Sequence, residues 1–116
     1  MDDIYISFYL RVNRIHIFVD LLRGIDSPKR ICFCIDHTGK KLLITPYLDN
    51  DFKSHKVPDR VYAGSGNFEV CSMKLCKSLS HINGWKPDGS YRVPGRISKM
   101  QNIAVFDLSK ATLIER

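Results

Sequence analysis

A chain of 116 residues, 44% apolar and 26% charged, has the size and composition of one ordinary globular domain with a modest core. Eighteen Lys and Arg against twelve Asp and Glu leave a charge of +6, and the absence of low-complexity runs or long blocks of like charge argues against disorder. No apolar run approaches the ~20 residues of a membrane helix, because Arg11, Arg14 and Asp20 interrupt the most hydrophobic region. Met1-Asp2-Asp3 is acidic where a secretory signal would be basic, so a cytoplasmic protein is expected.

Ile4 to Val12 alternates Ile4, Ile6, Phe8 and Leu10 with Tyr5, Ser7, Tyr9 and Arg11. This predicts a strand with one core face and one that is wet or covered by a partner. Asn13-Arg14 suits a turn or bulge, and Ile15-His16-Ile17 a very short strand. Phe18, Leu21, Leu22 and Ile25 recur at helical spacing, which predicts a helix from Phe18 to about Gly24, closed by Gly24 and Asp26-Ser27-Pro28. Lys29 to Ile35 and Lys40 to Thr45 read as strands joined by the hairpin connection Asp36-His37-Thr38-Gly39, with Pro46 as a stop. Tyr47 to Gly66 contains Asp49-Asn50-Asp51, Pro58 and Gly64-Ser65-Gly66. It reads as a surface connection in which Arg60-Val61-Tyr62 forms a brief strand.

The stretch from Asn67 to Leu108 is the most legible. Asn67 to Cys71 is a strand, and Ser72 is the N-cap of a helix running to Asn83, its hydroxyl placed to accept a free first-turn N–H. Leu75, Leu79 and Ile82 share one face of that helix with Cys76 and Met73. Gly84 supplies the left-handed residue that ends it. Trp85-Lys86-Pro87-Asp88-Gly89 is turn chemistry, and the strands Ser90 to Val93 and Ile103 to Leu108 follow.

Four cysteines in a reducing compartment read as free thiols. Cys32 and Cys34, two apart in a strand, face one side, and Cys76 is a small helix-face hydrophobe. Zinc is disfavoured because the spacings C-x-C and C-x4-C lack a C-x2-C pair or a spaced His pair. No phosphate-loop, nucleophile-elbow or H-E-x-x-H motif occurs, and Gly64-Ser65-Gly66 lacks the phosphate-binding Lys. His37 beside Asp36 and His55 near Asp59 read as solvated loop residues, His16 as a strand residue and His81 as a polar helix residue. Neither an enzyme nor a cofactor is expected.

The positive charge is uneven. Between Arg60 and Lys99 the cations Arg60, Lys74, Lys77, Lys86, Arg92, Arg96 and Lys99 face only Glu69 and Asp88. Cations near phosphates gain by releasing condensed counterions, so Lys74, Lys77, Lys86, Arg92, Arg96 and Lys99 are candidate nucleic-acid contacts. The competing reading is a solvated surface that keeps a small protein soluble. Trp85 and Tyr91 are candidates for stacking on bases, or else core and boundary residues.

A short strand, a helix, a turn containing Pro and a two-stranded hairpin occur in this order from about Ile15 to Thr45, and again from Asn67 to Leu108. The expectation is an α+β single domain of two pseudo-repeated βαββ halves sharing one core, mostly antiparallel, with two helices. The first half covers about 4–46, the connection 47–66 and the second half 67–108. The segments HIFVDLLRGIDSPKRICFCIDHTGKKLLITP and CSMKLCKSLSHINGWKPDGSYRV resemble the swapped-hairpin barrel of AbrB and MraZ-type bacterial transcription regulators, the closest match being Asn83 to Gly89. Two half-barrels in one chain resemble the MraZ arrangement. The D-x-x-x-R motif of that family is not matched, since Gly24 stands four residues after Asp20 and Ser78 four after Lys74, so its DNA contacts do not transfer. Fainter likenesses are to the halves of sliding clamps and to small proteins of Firmicute mobile elements.

The resemblance and the charge together imply a bacterial regulator that binds nucleic acid, with duplex DNA as the expected form and a homodimer as the expected assembly. The alternative is a protein-interaction or adaptor module that uses an unpaired Tyr5–Tyr9 strand edge or the 47–66 connection.

Overall fold

Alternation in the N-terminal strand decides which side of the sheet becomes the core. In the computed structural model, which describes residues 4–48, 54–64 and 67–114, strand β1 (Ile4–Tyr9) buries Ile4, Ile6 and Phe8 on one face, and Leu10 just beyond it. The elements that follow are β2 (Arg14–Phe18), α1 (Val19–Gly24), β3 (Arg30–Ile35), β4 (Lys41–Pro46) and β5 (Ser54–Lys56). Next come α2 (Asp59–Tyr62), β6 (Asn67–Cys71), α3 (Met73–Asn83), β7 (Ser90–Ser98), β8 (Ile103–Asp107), a 3-10 turn at Leu108–Lys110 and β9 (Thr112–Leu113).

The described strands form one barrel-like sheet in the order β5-β3-β4-β8-β7-β1-β2-β6, with β9 added beside β7. Each pairing is antiparallel. The architecture is therefore α+β with strands predominant, and it contains three helices where two were expected. β1 lies between β2 and β7, so the N-terminal strand is not the open edge that was one of the two surfaces of the adaptor reading. The strands at the ends of the path are β5 and β6.

The inner face gathers Ile6, Phe8, Ile15, Ile17, Ile31, Leu42, Ile44, Val93 and Phe106, all at 0% exposure, so one continuous core serves both halves of the chain. Each such side chain contributes roughly 1.5–3 kcal/mol on leaving water. Helix α1 adds Leu21 and Leu22, followed by Ile25. Phe18, expected on that buried stripe, is instead the extended N-cap residue and 38% exposed.

Helix α3 begins as expected, with the Leu75 amide donating to Ser72 Oγ at 3.2 Å, and it ends at Gly84 with φ of 65°. Cys76 and Leu79 are buried, but Met73 and Ile82 are not. The last turn of α3 runs out over the β3–β4 hairpin, where Ile82 lies against Gly39, so the final position of the stripe has no core beneath it. The hairpin itself is closed by Asp36, whose carboxylate accepts from the Thr38 hydroxyl and from the Lys40 and Lys41 amides.

Three further departures have local reasons. Arg60-Val61-Tyr62 is helical, because Pro58 sets an extended N-cap and Asp59 sits in the first turn, where the helix dipole favours an anion. Arg23 donates to the Tyr62 carbonyl and the Tyr62 hydroxyl to the Pro28 carbonyl, which ties α2 down while Val61 is buried. The 47–66 connection also supplies β5, which pairs with β3. β7 continues through Pro94 to Ser98, since its other edge pairs with β9 at Tyr91 and Arg92 and with β8 from Gly95 onward, and Pro94 falls in the gap between them. Ser65, Gly66 and Asp49-Asn50-Asp51 lie outside the described residues. No described helix is long and apolar enough to cross a membrane.

Candidate nucleic-acid interface

The strand period sorts the cations of the second half. In β7, Tyr91 and Val93 point inward, so Arg92 and Arg96 project together from the outer face. Lys86 belongs to the turn before this strand and Lys99 to the turn after it, and the nine residues between those turns rise about 30 Å. These four cations are therefore strung along one strand rather than gathered in a compact patch. Lys74 and Lys77 lie on α3, exposed on the side away from Cys76 and Leu79.

Lys77 lines a cleft of about 720 Å³ together with Arg11, His81 and Trp85. None of the six candidate cations forms an ion pair with a described carboxylate; the ion pair found among the described residues joins Arg14 and Glu69 at 3.1 Å.

Trp85 and Tyr91 are not exposed stacking residues. Each is 9% exposed, and their rings stack on each other with centroids 4.8 Å apart. Phe8 packs on Trp85 at 5.6 Å, and the Tyr91 hydroxyl accepts from the Lys86 amide. These two rings fasten the turn to the core.

Other aromatics take the outer position. Tyr5 is 41% exposed, and the Arg92 guanidinium lies 5.8 Å from the centre of its ring. On the neighbouring strand the Phe18 ring lies 4.6 Å from that of His16. Between these rows Ser7, opposite both His16 and Arg92, is nearly fully covered. The result is a strip across β2, β1 and β7 with rings and guanidinium groups above a small floor residue. The outward half of the β1 alternation signalled Tyr5 in the sequence. Nothing local marked Phe18, because its exposure depends on where β2 ends and α1 begins.

Two of the groups considered for acid–base work, Asp36 and His55, have contacts within the fold. The Thr38 hydroxyl and the Lys41 and Lys40 amides hold the Asp36 carboxyl below its usual range, so this carboxylate closes a turn. Burial lowers the His55 pKa, with a further push from Arg30, and its ring packs edge-on against Phe33 at 5.3 Å. Among the described residues no three His, Cys, Asp or Glu side chains gather as a metal site would require.

The class defined here is a mostly antiparallel α+β barrel-like sheet carrying exposed cations and rings on its outer face. No protein-family model matches the chain, and neither a curated protein nor a solved structure matches it.

Proposed function

We propose that this protein binds nucleic acid through cations on its outer surface. The observation that carries the reading is that Lys74, Lys77, Lys86, Arg92, Arg96 and Lys99 are all exposed and none is paired with a described carboxylate. Charges left uncompensated in this way are available to phosphates, and counterion release rewards the contact. Regulation of bacterial transcription by a homodimer on duplex DNA is the form the AbrB and MraZ resemblance suggests. Two βαββ units in one chain belong to the same proposal. It is supported by the antiparallel pairing of β2 with β6 and of β4 with β8, which brings matching strands of the two segments side by side. The path ends, β5 and β6, are the edges available to a second copy.

The test is a fluorescence-polarisation titration against mixed-sequence duplex DNA and single-stranded RNA, at low and at near-physiological salt. Binding is expected to weaken steeply with salt. Replacing Arg92, Arg96 and Lys99 by Ala should make the salt slope shallower by about 1 for each phosphate that is no longer neutralised. Absence of binding to either polymer at low salt overturns the proposal.

A further inference from the structure

We propose that the outer face of β2, β1 and β7 binds single-stranded nucleic acid, with unpaired bases stacking on Tyr5 and Phe18 and the phosphates following Arg92 and Arg96. The inference rests on the nucleic-acid reading above, and it assigns this face a single strand in place of the duplex that the AbrB and MraZ resemblance suggests.

The core does not need these two rings. β1 and β2 already fill it from their other face with Ile4, Ile6, Phe8, Ile15 and Ile17. Tyr5 and Phe18 nevertheless sit outward on adjacent strands at 41% and 38% exposure, and together line a shallow cleft of about 220 Å³ with Ile4, Leu21 and Asp20. Each ring is already held by a neighbour, Tyr5 by the Arg92 guanidinium and Phe18 by the His16 ring. A ligand therefore spends little entropy in ordering them. Arg96 stands four residues from Arg92 on the same face, about 13 Å further along the strand, and extends the positive line.

Rings and arginines so placed suit a strand whose bases are free. In a duplex every base face is covered by its neighbours, whereas an unpaired base presents a π-face to any aromatic side chain, and the contact tolerates sequence variation. Asp20, exposed at the rim of the cleft, opposes phosphate and sets a limit on affinity.

The experiment uses the full chain and three labelled probes of one sequence: single-stranded DNA, single-stranded RNA and duplex DNA. The single strands are expected to bind more tightly than the duplex. Tyr5→Ala and Phe18→Ala should each weaken single-strand binding about 5- to 100-fold while leaving duplex binding within about twofold. Tyr5→Phe keeps the ring and should bind as the parent does, and Asp20→Asn should bind more tightly. A preference for DNA or for RNA assigns the sugar without altering the inference.

Because Phe18 also begins α1, ultraviolet crosslinking of the unmodified protein to an oligonucleotide carrying 5-iodouracil gives a second readout. Crosslinks should fall on the peptides containing Tyr5 and Phe18. Salt-sensitive binding that ignores both Ala variants and crosslinks elsewhere overturns this inference and leaves the broader reading standing. No binding to any of the three probes overturns both.

Discussion

The two faces of β1 and its neighbours differ in what they ask of a side chain. Inward, Ile6, Phe8, Ile15, Ile17 and Val93 are sealed from water and make one core with residues from both halves of the chain. Outward, across the same backbone, Tyr5 meets Arg92 and Phe18 meets His16, and both rings stay open to solvent. A ring on the first face is held by packing on all sides, and a ring on the second keeps surface to offer. The same residue class therefore fills the core at Phe8 and is left partly open to solvent at Tyr5.

Substitution should separate the faces most sharply at these two positions. Phe8→Ala leaves a cavity against Trp85 in a fully buried site, and urea denaturation should show a loss of about 3–5 kcal/mol. A loss below about 1 kcal/mol would mean that the core is far looser than the packing of Phe8 implies.

The cysteines draw the same contrast by chemistry. Burial, with a lesser contribution from Cys71, pushes the Cys76 thiol up to about 11, while Cys34 and Cys71 are exposed. At pH 8 iodoacetamide should modify Cys34 and Cys71 and spare Cys76 until the protein unfolds. Burial likewise raises the Tyr62 hydroxyl to about 12. Both groups are acids that ionise more readily in the unfolded chain. Their contribution to stability is complete below about pH 9 and is lost progressively as pH rises toward 11 and 12. Denaturation midpoints that stay flat from pH 8 to 11 would contradict this.

The smallest effect belongs to the outer face. Tyr5→Ala should cost about 1 kcal/mol or less in the same urea measurement, the size of an exposed cation–π contact. A cost comparable with that of Phe8→Ala would erase the distinction between the faces.

Features set by contacts within a few residues were legible in the sequence. Ser72 and Gly84 bound α3, Asp36 to Gly39 turn the β3–β4 hairpin, and the period of two in β1 names its buried residues, because capping, turn geometry and alternation need no distant partner. Ile82 failed the same logic. Its place on the helical stripe was local, but whether core lay beneath it was not. Trp85 and Tyr91 are the core and boundary residues that one of their two readings expected, but their stack across a turn and the contact with Phe8 could not be read from either residue alone. Of the candidate interface, the cations and their nearness in sequence were legible, but that β7 would run past Val93 and carry Arg96 on the same face as Arg92 was not.

By itself, the sequence determined that the chain is basic, that its fold is α+β with strands predominant, where several turns and the longest helix fall, and which side of β1 is apolar. Only the tertiary structure decided that β1 would lie between β2 and β7, that β5 and β9 would join the sheet, and that Tyr5, Phe18 and Arg92 would share one strip. The reason is that strand neighbours are chosen by pairings between distant segments, such as Ile15 with Val70 across fifty-five positions, and the composition of an outer face exists only once those neighbours are chosen.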